Sequence, residues 1–143
     1  MNKPPHRSHC PVNFAVEAIG DKWSLLIIRD LMFNGKSYYN DFLHSEENIA
    51  TNILADRLTT LEKEQLIKKT SDPKNKSRYI YSLTEKGIDL LPMLIEAIIW
   101  STKYDSKTTA EHEVVKQINE DKEKLIRDIR EGIKQNIFIL PKK

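Results

Sequence analysis

The feature that most constrains the fold of this chain is a helical pattern that passes directly into an extended, basic one. Over residues 48–66 the apolar side chains recur at helical spacing, and they are Leu54, Leu58, Leu61 and Leu66. One face of this helix is therefore expected to lie on a core. The opposite face carries Asn52, Asp56, Thr59 and Lys63, with Thr51 and Arg57 on its flanks. Such side chains can hydrogen-bond to base edges, although an ordinary solvated helix has the same appearance.

The residues after Leu66 have the composition of a β-hairpin with a cationic tip. Two short segments rich in β-forming residues, 67–70 and 78–83, flank turn-forming residues at 71–77. Between Leu66 and Tyr81 there is one acid, Asp72, against five cations, which are Lys68, Lys69, Lys74, Lys76 and Arg78. Taken alone, this charge fits a solvated hairpin as well as it fits a DNA contact.

A helix with a polar outer face that leads into a basic hairpin is the arrangement of a winged helix-turn-helix. In that fold the recognition helix enters the major groove and the hairpin, or wing, lies along the phosphates. The combination favours DNA binding over a solvated helix and hairpin. The candidate DNA-binding residues are Thr51, Asn52, Asp56, Arg57, Thr59, Lys74, Lys76 and Arg78. Two roles stay open for Asp56, which would either accept a hydrogen bond from cytosine or hold Arg57 in place.

Length and composition limit the other possibilities. A chain of 143 residues is long enough for one domain with a real core, but its net charge of +2 does not by itself indicate a nucleic-acid partner. Glu96 interrupts the most apolar stretch, 90–100, so no membrane segment is expected. No apolar run follows the basic residues at the start, which argues against a signal peptide. The single cysteine fits a reducing compartment, and a cytoplasmic location is expected.

The rest of the pattern predicts a mainly α-helical protein with a small β-hairpin wing. Residues 1–9 are expected to form a flexible arm, residues 10–104 the winged domain and residues 105–143 a C-terminal helical extension. Helices are predicted at Pro11–Ile19, 22–33, 38–44, 84–103 and 110–136, with Asp21 as the N-cap of the second and 38–44 as the first helix of the helix-turn-helix.

Helical dimerisation elements are expected at both ends of this domain. The helix at 84–103 is apolar around more than half of its circumference, so part of it is expected to meet a second subunit. The helix at 110–136 is amphipathic, although Lys122 interrupts its stripe. We expect it to pair mainly with a partner helix, and packing on its own domain is the alternative.

Cys10 precedes Pro11, which is a favoured first residue of a helix, so the thiol is expected at a helix N-cap. The positive end of the helix would lower the pKa of the thiol, and Arg7, His6 or His9 would act in the same direction when charged. One interpretation is therefore a thiol that reacts with oxidants or small electrophiles. The other is a small, unreactive residue, which is the commoner role of a lone cysteine.

A metal site or an enzyme is the remaining alternative from the residues alone. Potential ligands are His6, His9, Cys10, His44 and His112. They are sparse and lack the regular spacing of zinc ligands, and neither a glycine-rich phosphate loop nor a telling pair of carboxylates is present in the sequence. We therefore expect no cofactor, no metal and no enzymatic activity.

Several short strings occur in a fixed order along residues 10–104. They are Cys10-Pro11, Gly20-Asp21-Lys22-Trp23, Leu26-Ile27-Ile28-Arg29, Leu31, Tyr39-Asn40-Asp41-Phe42, Ile49, Leu54, Arg57-Leu58, Leu61-Glu62, Tyr81-Ser82-Leu83-Thr84-Glu85-Lys86-Gly87 and Trp100. The ordered set resembles the HxlR-type winged-helix regulators, bacterial relatives of the MarR group. The resemblance implies a homodimer that binds a palindromic operator through double-stranded DNA contacts, with a dimer contact built from the first and C-terminal helices. In some members an amino-terminal cysteine senses oxidants, quinones or aldehydes, a role that would fall on Cys10.

The chain departs from the pattern of these regulators at three positions. Tyr38 stands where arginine is usual, which removes a phosphate contact, and Gln65 replaces the usual glycine after the recognition helix, so that turn is expected to be strained or altered. Ala50 stands where serine or threonine usually caps the recognition helix, which leaves Asn48 or Thr51 to take that role.

The functional expectation is a sequence-specific transcriptional regulator, and the alternative is a winged-helix module that binds protein without reading DNA.

Overall fold

The computed structural model describes residues 6–108 and 112–138, and this part of the chain contains seven helices and one two-stranded sheet. The elements in order are α1 (Pro11–Ile19), α2 (Ser24–Phe33), α3 (Tyr39–Leu43), α4 (Thr51–Lys63), β1 (Ile67–Asp72), β2 (Asn75–Leu83), α5 (Glu85–Ile88), α6 (Leu91–Tyr104) and α7 (His112–Lys134). The predicted fold class, mainly α-helical with a hairpin wing, is confirmed. Residues 1–5 of the expected arm and the predicted helix start at Ala110 lie outside the described residues.

The leucine stripe of α4 lies on the core, as its spacing predicts. Leu54, Leu58 and Leu61 are buried, and Phe42 of α3 packs beside them in the same cluster. The ring of Phe42 meets the ring of Tyr81 on β2 edge-on, with 6.2 Å between centroids. Full burial of each such side chain contributes roughly 1.5–3 kcal/mol, so these contacts join α3, α4 and the hairpin into one unit.

The start of α2 follows the predicted capping, with a shift in the boundary. The carboxylate of Asp21 accepts hydrogen bonds from the backbone N–H groups of Trp23 and Ser24, both at 3.0 Å. The regular helix begins at Ser24 and not at the predicted Lys22, because the cap residue and the two residues after it form a turn.

The hairpin, residues 67–83, is called the wing below, and its strands reach further than the sequence predicts. Ile67 pairs with Leu83, and Asp72 pairs with Asn75, so the turn is only two residues long. The predicted loop at 71–77 is therefore wrong. The register shifts after Ser71, and the Asp72 and Asn75 side chains accept the backbone N–H groups of Lys74 and Ser77. These side-chain bonds shape the tip locally, which the composition of a turn does not reveal.

The single helix predicted at 84–103 is also wrong, because the chain forms α5 and then restarts at α6. Pro92 has no N–H to donate to the carbonyl of Ile88, and its ring occupies the place where that carbonyl would lie in a continuous helix. The start of α5 is capped as expected, since the Thr84 hydroxyl accepts the Gly87 N–H at 3.1 Å.

α7 packs back on its own domain. Ile118, Leu125 and Ile129 are buried in the core cluster, and two ion pairs join α7 to the segment that contains α6. These are Lys122 with Glu96 at 2.6 Å and Arg130 with Asp89 at 2.9 Å. The expectation that α7 serves mainly as a partner helix is therefore wrong, and the alternative is what the structure shows. The apolar circumference of α6 is the nearest surface that the amphipathic stripe of α7 can cover.

Asp121 divides α7 into two parts. Its backbone is non-helical, at φ −160° and ψ 89°, and its carboxylate accepts the N–H of Lys124 at 3.1 Å. It therefore acts as the cap of the second part, and the kink lets both parts follow the domain surface. In the described portion of the chain, the helices are too short or too polar to cross a bilayer.

Candidate nucleic-acid interface

The polar face of α4 is open to solvent. Thr51, Asn52, Asp56 and Thr59 are exposed, whereas the leucines on the other side of the helix are buried. The Thr59 hydroxyl donates to the Ala55 carbonyl at 3.0 Å, which restricts the rotamer of this side chain. The face therefore offers an amide, two hydroxyls and a carboxylate to a partner.

The N-terminus of α4 has no side-chain cap. Ala50 is the N-cap, and neither Asn48 nor Thr51 caps the helix, so that expectation is wrong. Asn48 instead adopts a left-handed backbone, with φ at 56°, and turns the chain into the helix. The hydroxyl of Tyr39 donates to the carbonyl of Thr51 at 2.9 Å. The N–H groups of the first turn thus receive no side-chain acceptor, and such groups are suited to an anionic oxygen.

Arg57 is engaged inside the protein. Its Nε donates to the Asp56 carboxylate at 3.0 Å, its Nη2 pairs with the same carboxylate, and its Nη1 lies 3.6 Å from Asp21. Of the two roles left open for Asp56, the structure shows the one that holds Arg57. The guanidinium also connects the middle of α4 to the carboxylate that caps α2.

The same arrangement keeps the Asp21 carboxylate charged to a lower pH than an isolated aspartate, because it lowers the pKa. Burial alone would raise the pKa of Asp21, but hydrogen bonds from the Ser24 hydroxyl and from the Trp23 and Ser24 N–H groups, together with the Arg57 charge, outweigh burial and lower it. The carboxylate therefore stabilises both the start of α2 and the position of Arg57.

The cations of the wing differ in how they are held. Lys74 and Lys76 are exposed at the tip, as expected for phosphate contacts. The ammonium of Lys69 lies 4.1 Å from the ring centroid of Tyr79. Arg78 is different, because it pairs with Asp72 at 3.1 Å and lies 4.2 Å over the ring of Tyr38, while 52% of its side chain stays accessible.

Asp72 is a functional candidate that the sequence interpretation missed. Its side chain is only 2% exposed although it lies at a hairpin tip. The carboxylate accepts the Lys74 N–H at 2.9 Å, the Tyr38 hydroxyl at 3.1 Å and the Arg78 guanidinium. The Lys74 N–H lowers the pKa of Asp72, and the other two donors add to this against the opposing effect of burial. The sequence feature that could have indicated this role is that Asp72 is the single acid among the five cations of the wing.

Three residues, Gln65, Thr84 and Gly87, fix the junction between α4 and the wing. Gln65 has a left-handed backbone, with φ at 62°, so the strained turn predicted there is confirmed. The Thr84 hydroxyl donates to the carbonyl of Gln65 at 2.6 Å. A Cβ on Gly87 would lie 2.2 Å from the carbonyl oxygen of Leu66, so α5 can approach this turn only with glycine at that position.

A second polar cluster holds the turn between α3 and α4. The buried carboxylate of Asp30 accepts from Arg29, Lys36 and Ser45, and Arg29 also pairs with Glu47 at 2.8 Å. The hydrogen bond from Arg29 lowers the pKa of Glu47, although burial opposes it. This network anchors the connection before α4 to α2, and the sequence pattern did not indicate it.

Cys10 is an exposed free thiol at the N-cap of α1, as predicted. Two of the three residues expected to act on the thiol, Arg7 and His6, have other partners. Arg7 donates to the side chain of Asn13 at 2.8 Å, and the ring of His6 lies 3.3 Å from the carboxylate of Glu17. Within residues 6–108 and 113–138, no three histidine, cysteine or acidic side chains lie close enough together to hold a metal ion.

Large apolar side chains are exposed on two helices. On α1 they are Val12, Phe14 and Val16, and on α6 they are Met93, Trp100 and Tyr104. Trp100 and Tyr104 are both about two-thirds exposed, and they lie on one stripe of α6 with Met93. Exposed clusters of this kind mark surfaces that bind another protein chain.

The chain is similar in sequence to known regulators. Residues 18–109 match the family described as HxlR-like helix-turn-helix. YvaP, an uncharacterized HTH-type transcriptional regulator of Bacillus subtilis strain 168, is 33% identical over 90 residues, which cover 63% of this chain and 82% of YvaP. The HTH-type transcriptional regulator YodB of the same strain is 30% identical over 96 residues, which cover 66% of this chain and 85% of YodB.

Solved structures show the same fold. The candidate transcription factor PA1607 superposes with a TM-score of 0.65 and 33% identity over 74% of this chain and 72% of PA1607. Reduced YodB from B. subtilis superposes with a TM-score of 0.57 and 27% identity over 71% of this chain and 99% of YodB, which has also been solved quinone-bound and diamide-treated. With its exposed recognition helix and cationic wing, this chain belongs to the HxlR-like helix-turn-helix family of DNA-binding transcriptional regulators, within the MarR-like winged-helix proteins.

Proposed function

We propose that this regulator binds a palindromic operator as a homodimer and has no enzymatic role. The observation that carries the proposal is the exposed polar face of α4, followed in the chain by a wing whose tip presents Lys74 and Lys76 to solvent. Two copies related by a two-fold axis would place their α4 helices in successive major grooves, about 34 Å apart.

The residues of α4 would divide between reading bases and holding the helix. Asn52 would pair with adenine, and Thr51 and Thr59 would contact bases or the methyl group of thymine. In the free protein the Arg57 guanidinium is bonded to the Asp56 carboxylate. Arg57 would therefore contact guanine or a phosphate only with the donors that this bond leaves available. Lys74, Lys76 and the accessible part of Arg78 would supply affinity that is independent of sequence.

Binding-site selection with wild type, Asn52→Ala and Lys76→Ala tests this division. We expect Asn52→Ala to change the selected consensus, and Lys76→Ala to keep the consensus while it reduces the slope of affinity against salt by about one unit. The same consensus from both variants and wild type would contradict the base-reading role of Asn52. If wild type gives no sequence-selective complex at raised salt with competitor DNA, the alternative of a protein-binding winged helix is supported.

The dimer would use the exposed apolar side chains of α1 and the exposed apolar stripe of α6. Trp100 would enter a two-fold interface twice, so Trp100→Ser should raise the dimer dissociation constant by at least roughly tenfold. Tyr79→Ser, which removes an exposed aromatic ring from the wing, is the matched control and should leave the constant unchanged. Sedimentation equilibrium makes both measurements, and a wild-type protein that remains monomeric would contradict the proposal.

A response to oxidants or electrophiles through Cys10 is the finer part of the proposal. It is favoured by the exposure of the thiol at the start of α1, next to an apolar face proposed for the dimer. YodB, a relative, has been solved in quinone-bound and diamide-treated forms. A quinone would add to the sulfur, whereas diamide would oxidise this thiol and a second one to a disulfide. Because each chain has one cysteine, the second thiol would come from another subunit or from a small thiol.

Operator binding with and without a quinone or diamide, repeated with Cys10→Ser, tests this response. We expect the reagents to change the affinity of wild type and to leave that of Cys10→Ser unchanged. An unchanged wild-type affinity would remove Cys10 as the sensor and would leave the DNA-binding proposal intact.

A further inference from the structure

We propose that Asp72 is a positioning residue that fixes the wing against α3, so that DNA affinity depends on a carboxylate that by itself repels DNA. The inference rests on the proposed DNA binding and adds to it a residue that sets where the wing cations lie. It names a role for the one acid in a segment of five cations.

The burial of Asp72 is unusual for a residue at a hairpin tip. Only 2% of its side chain is exposed, whereas its neighbours Ser71 and Pro73 are exposed. A buried carboxylate without partners would be strongly destabilising, so it remains buried only where several donors reach it. Three donors do so here, from the backbone of Lys74 and the side chains of Tyr38 and Arg78.

These donors connect the tip of the wing to the first helix of the helix-turn-helix. Tyr38 is the residue before α3, and its backbone N–H donates to the Asp41 carboxylate within that helix at 3.1 Å. Nearer the base of the wing, the N–H of Tyr81 donates to the carbonyl of Ser37 at 2.8 Å. The base of the wing is thus held by this bond and by the packing of Ile67 and Tyr81 in the core. Loss of the Asp72 contact would leave the tip free to move relative to α3.

The same carboxylate orients Arg78. The guanidinium lies over the ring of Tyr38 and donates from Nη2 to Asp72. A guanidinium carries five N–H donors, and this bond uses one of them. Since half of the Arg78 side chain stays accessible, Asp72 holds a cation in a fixed direction that would otherwise move over many rotamers.

Charge and position predict opposite effects for one substitution. Asp72→Asn removes a negative charge close to the proposed phosphate path, so electrostatics alone predicts tighter binding and a steeper dependence on salt. If the carboxylate positions the wing, the same substitution weakens binding, because the tip is released and Arg78 loses its direction. The sign of the effect therefore distinguishes the two accounts.

The experiment measures affinity for the duplex recovered by site selection with wild type, over a range of salt concentrations. We expect Asp72→Asn to raise the Kd about tenfold and Tyr38→Phe, which removes only the hydroxyl, to raise it severalfold. Glu46→Gln, which removes an exposed acid before α4, is the control for charge and should leave the Kd unchanged or lower it. In an Asp72→Asn background, Tyr38→Phe should have no further effect, because both act through one contact.

Hydroxyl-radical footprinting adds a readout that a general loss of stability would not change. We expect Asp72→Asn to lose protection at the backbone positions flanking the major-groove contacts and to keep the protection given by α4. Binding by Asp72→Asn that equals or exceeds wild type would overturn the inference. Should Asp72→Asn fail to fold, Tyr38→Phe decides, since an unchanged Kd for it would overturn the inference too. If wild type selects no duplex, the proposed function itself fails, which is a different result.

Discussion

Replacement of Gln65 by glycine should stabilise the protein. Gln65 follows the C-cap of α4, and its φ is 62°. The N–H of Gln65 donates to the carbonyl of Glu62, and the N–H of Leu66 donates to the carbonyl of Leu61. This is a Schellman ending, in which the left-handed position normally holds glycine. An L-residue there costs roughly 1–2 kcal/mol, and glycine loses about 0.5–1 kcal/mol more backbone freedom on folding. The net gain for Gln65→Gly is therefore about 0.5–1 kcal/mol, because the exposed Gln65 side chain has little packing to lose.

Chemical denaturation at fixed protein concentration measures this gain, since dimerisation would make the stability depend on concentration. The matched controls are Gln65→Asn and Gln65→Ala, because asparagine tolerates the left-handed region better than alanine. We expect the order of stability to be glycine, then asparagine, then alanine, with alanine close to wild type. The melting temperature of Gln65→Gly should rise by roughly 2–4 °C. A glycine variant no more stable than the alanine variant would refute the argument, because the strain at this turn would then be negligible.

Three further outcomes follow from the described contacts. Gly87→Ala should destabilise the protein by about 1–3 kcal/mol in denaturant titration, because the added Cβ would lie 2.2 Å from the Leu66 carbonyl oxygen, and wild-type stability would contradict this. Leu125→Ala should lower the free energy of unfolding by about 2–5 kcal/mol in the same assay, because Leu125 of α7 is buried in the core. A loss below about 0.5 kcal/mol, as at surface sites, would show that α7 does not pack on the domain. The folded-state pKa of Asp21 lies below its unfolded value of about 3.9, so its stabilisation is present above that pH and is lost as the pH falls through the folded pKa. The difference in unfolding free energy between wild type and Asp21→Asn should therefore narrow as the pH falls below about 4, and a constant difference would contradict this prediction.

The parts of the fold that depend on local periodicity could be predicted from the sequence. The spacing of Leu54, Leu58 and Leu61 identified both the helix and its buried face, because every turn of a helix returns its side chains to the same side. The departure at Gln65 also predicted a special turn, since only a few residue types tolerate φ above zero. The first inference required only the spacing of neighbouring residues, whereas the second came from the resemblance, in which glycine is usual at this position.

The parts that depend on distant partners could not be predicted in this way. The register of the wing shifts after Ser71, where the buried Asp72 meets Tyr38 from far along the chain. The turn-forming composition of residues 71–77 does not predict that contact. The apolar stripe of α7 likewise predicts an amphipathic helix, but it does not predict which surface covers the stripe. In the structure α6 of the same chain covers it. A pattern of apolar residues determines that a face is buried, and the rest of the fold determines where.

The same reasoning limits what an outward-facing position means on α4. Asn52, Arg57 and Thr59 all lie away from the leucine stripe, and the sequence alone treats them as equivalent candidates. Arg57 is nevertheless held by Asp56 and lies near Asp21, so a contact with DNA would have to compete with ion pairs that already exist. The side chain of Asn52 is exposed, and none of the ion pairs described above would have to break before it contacts a base. Discrimination between operators should therefore depend more on Asn52, whereas Arg57 should act first on the position of α4 relative to α2.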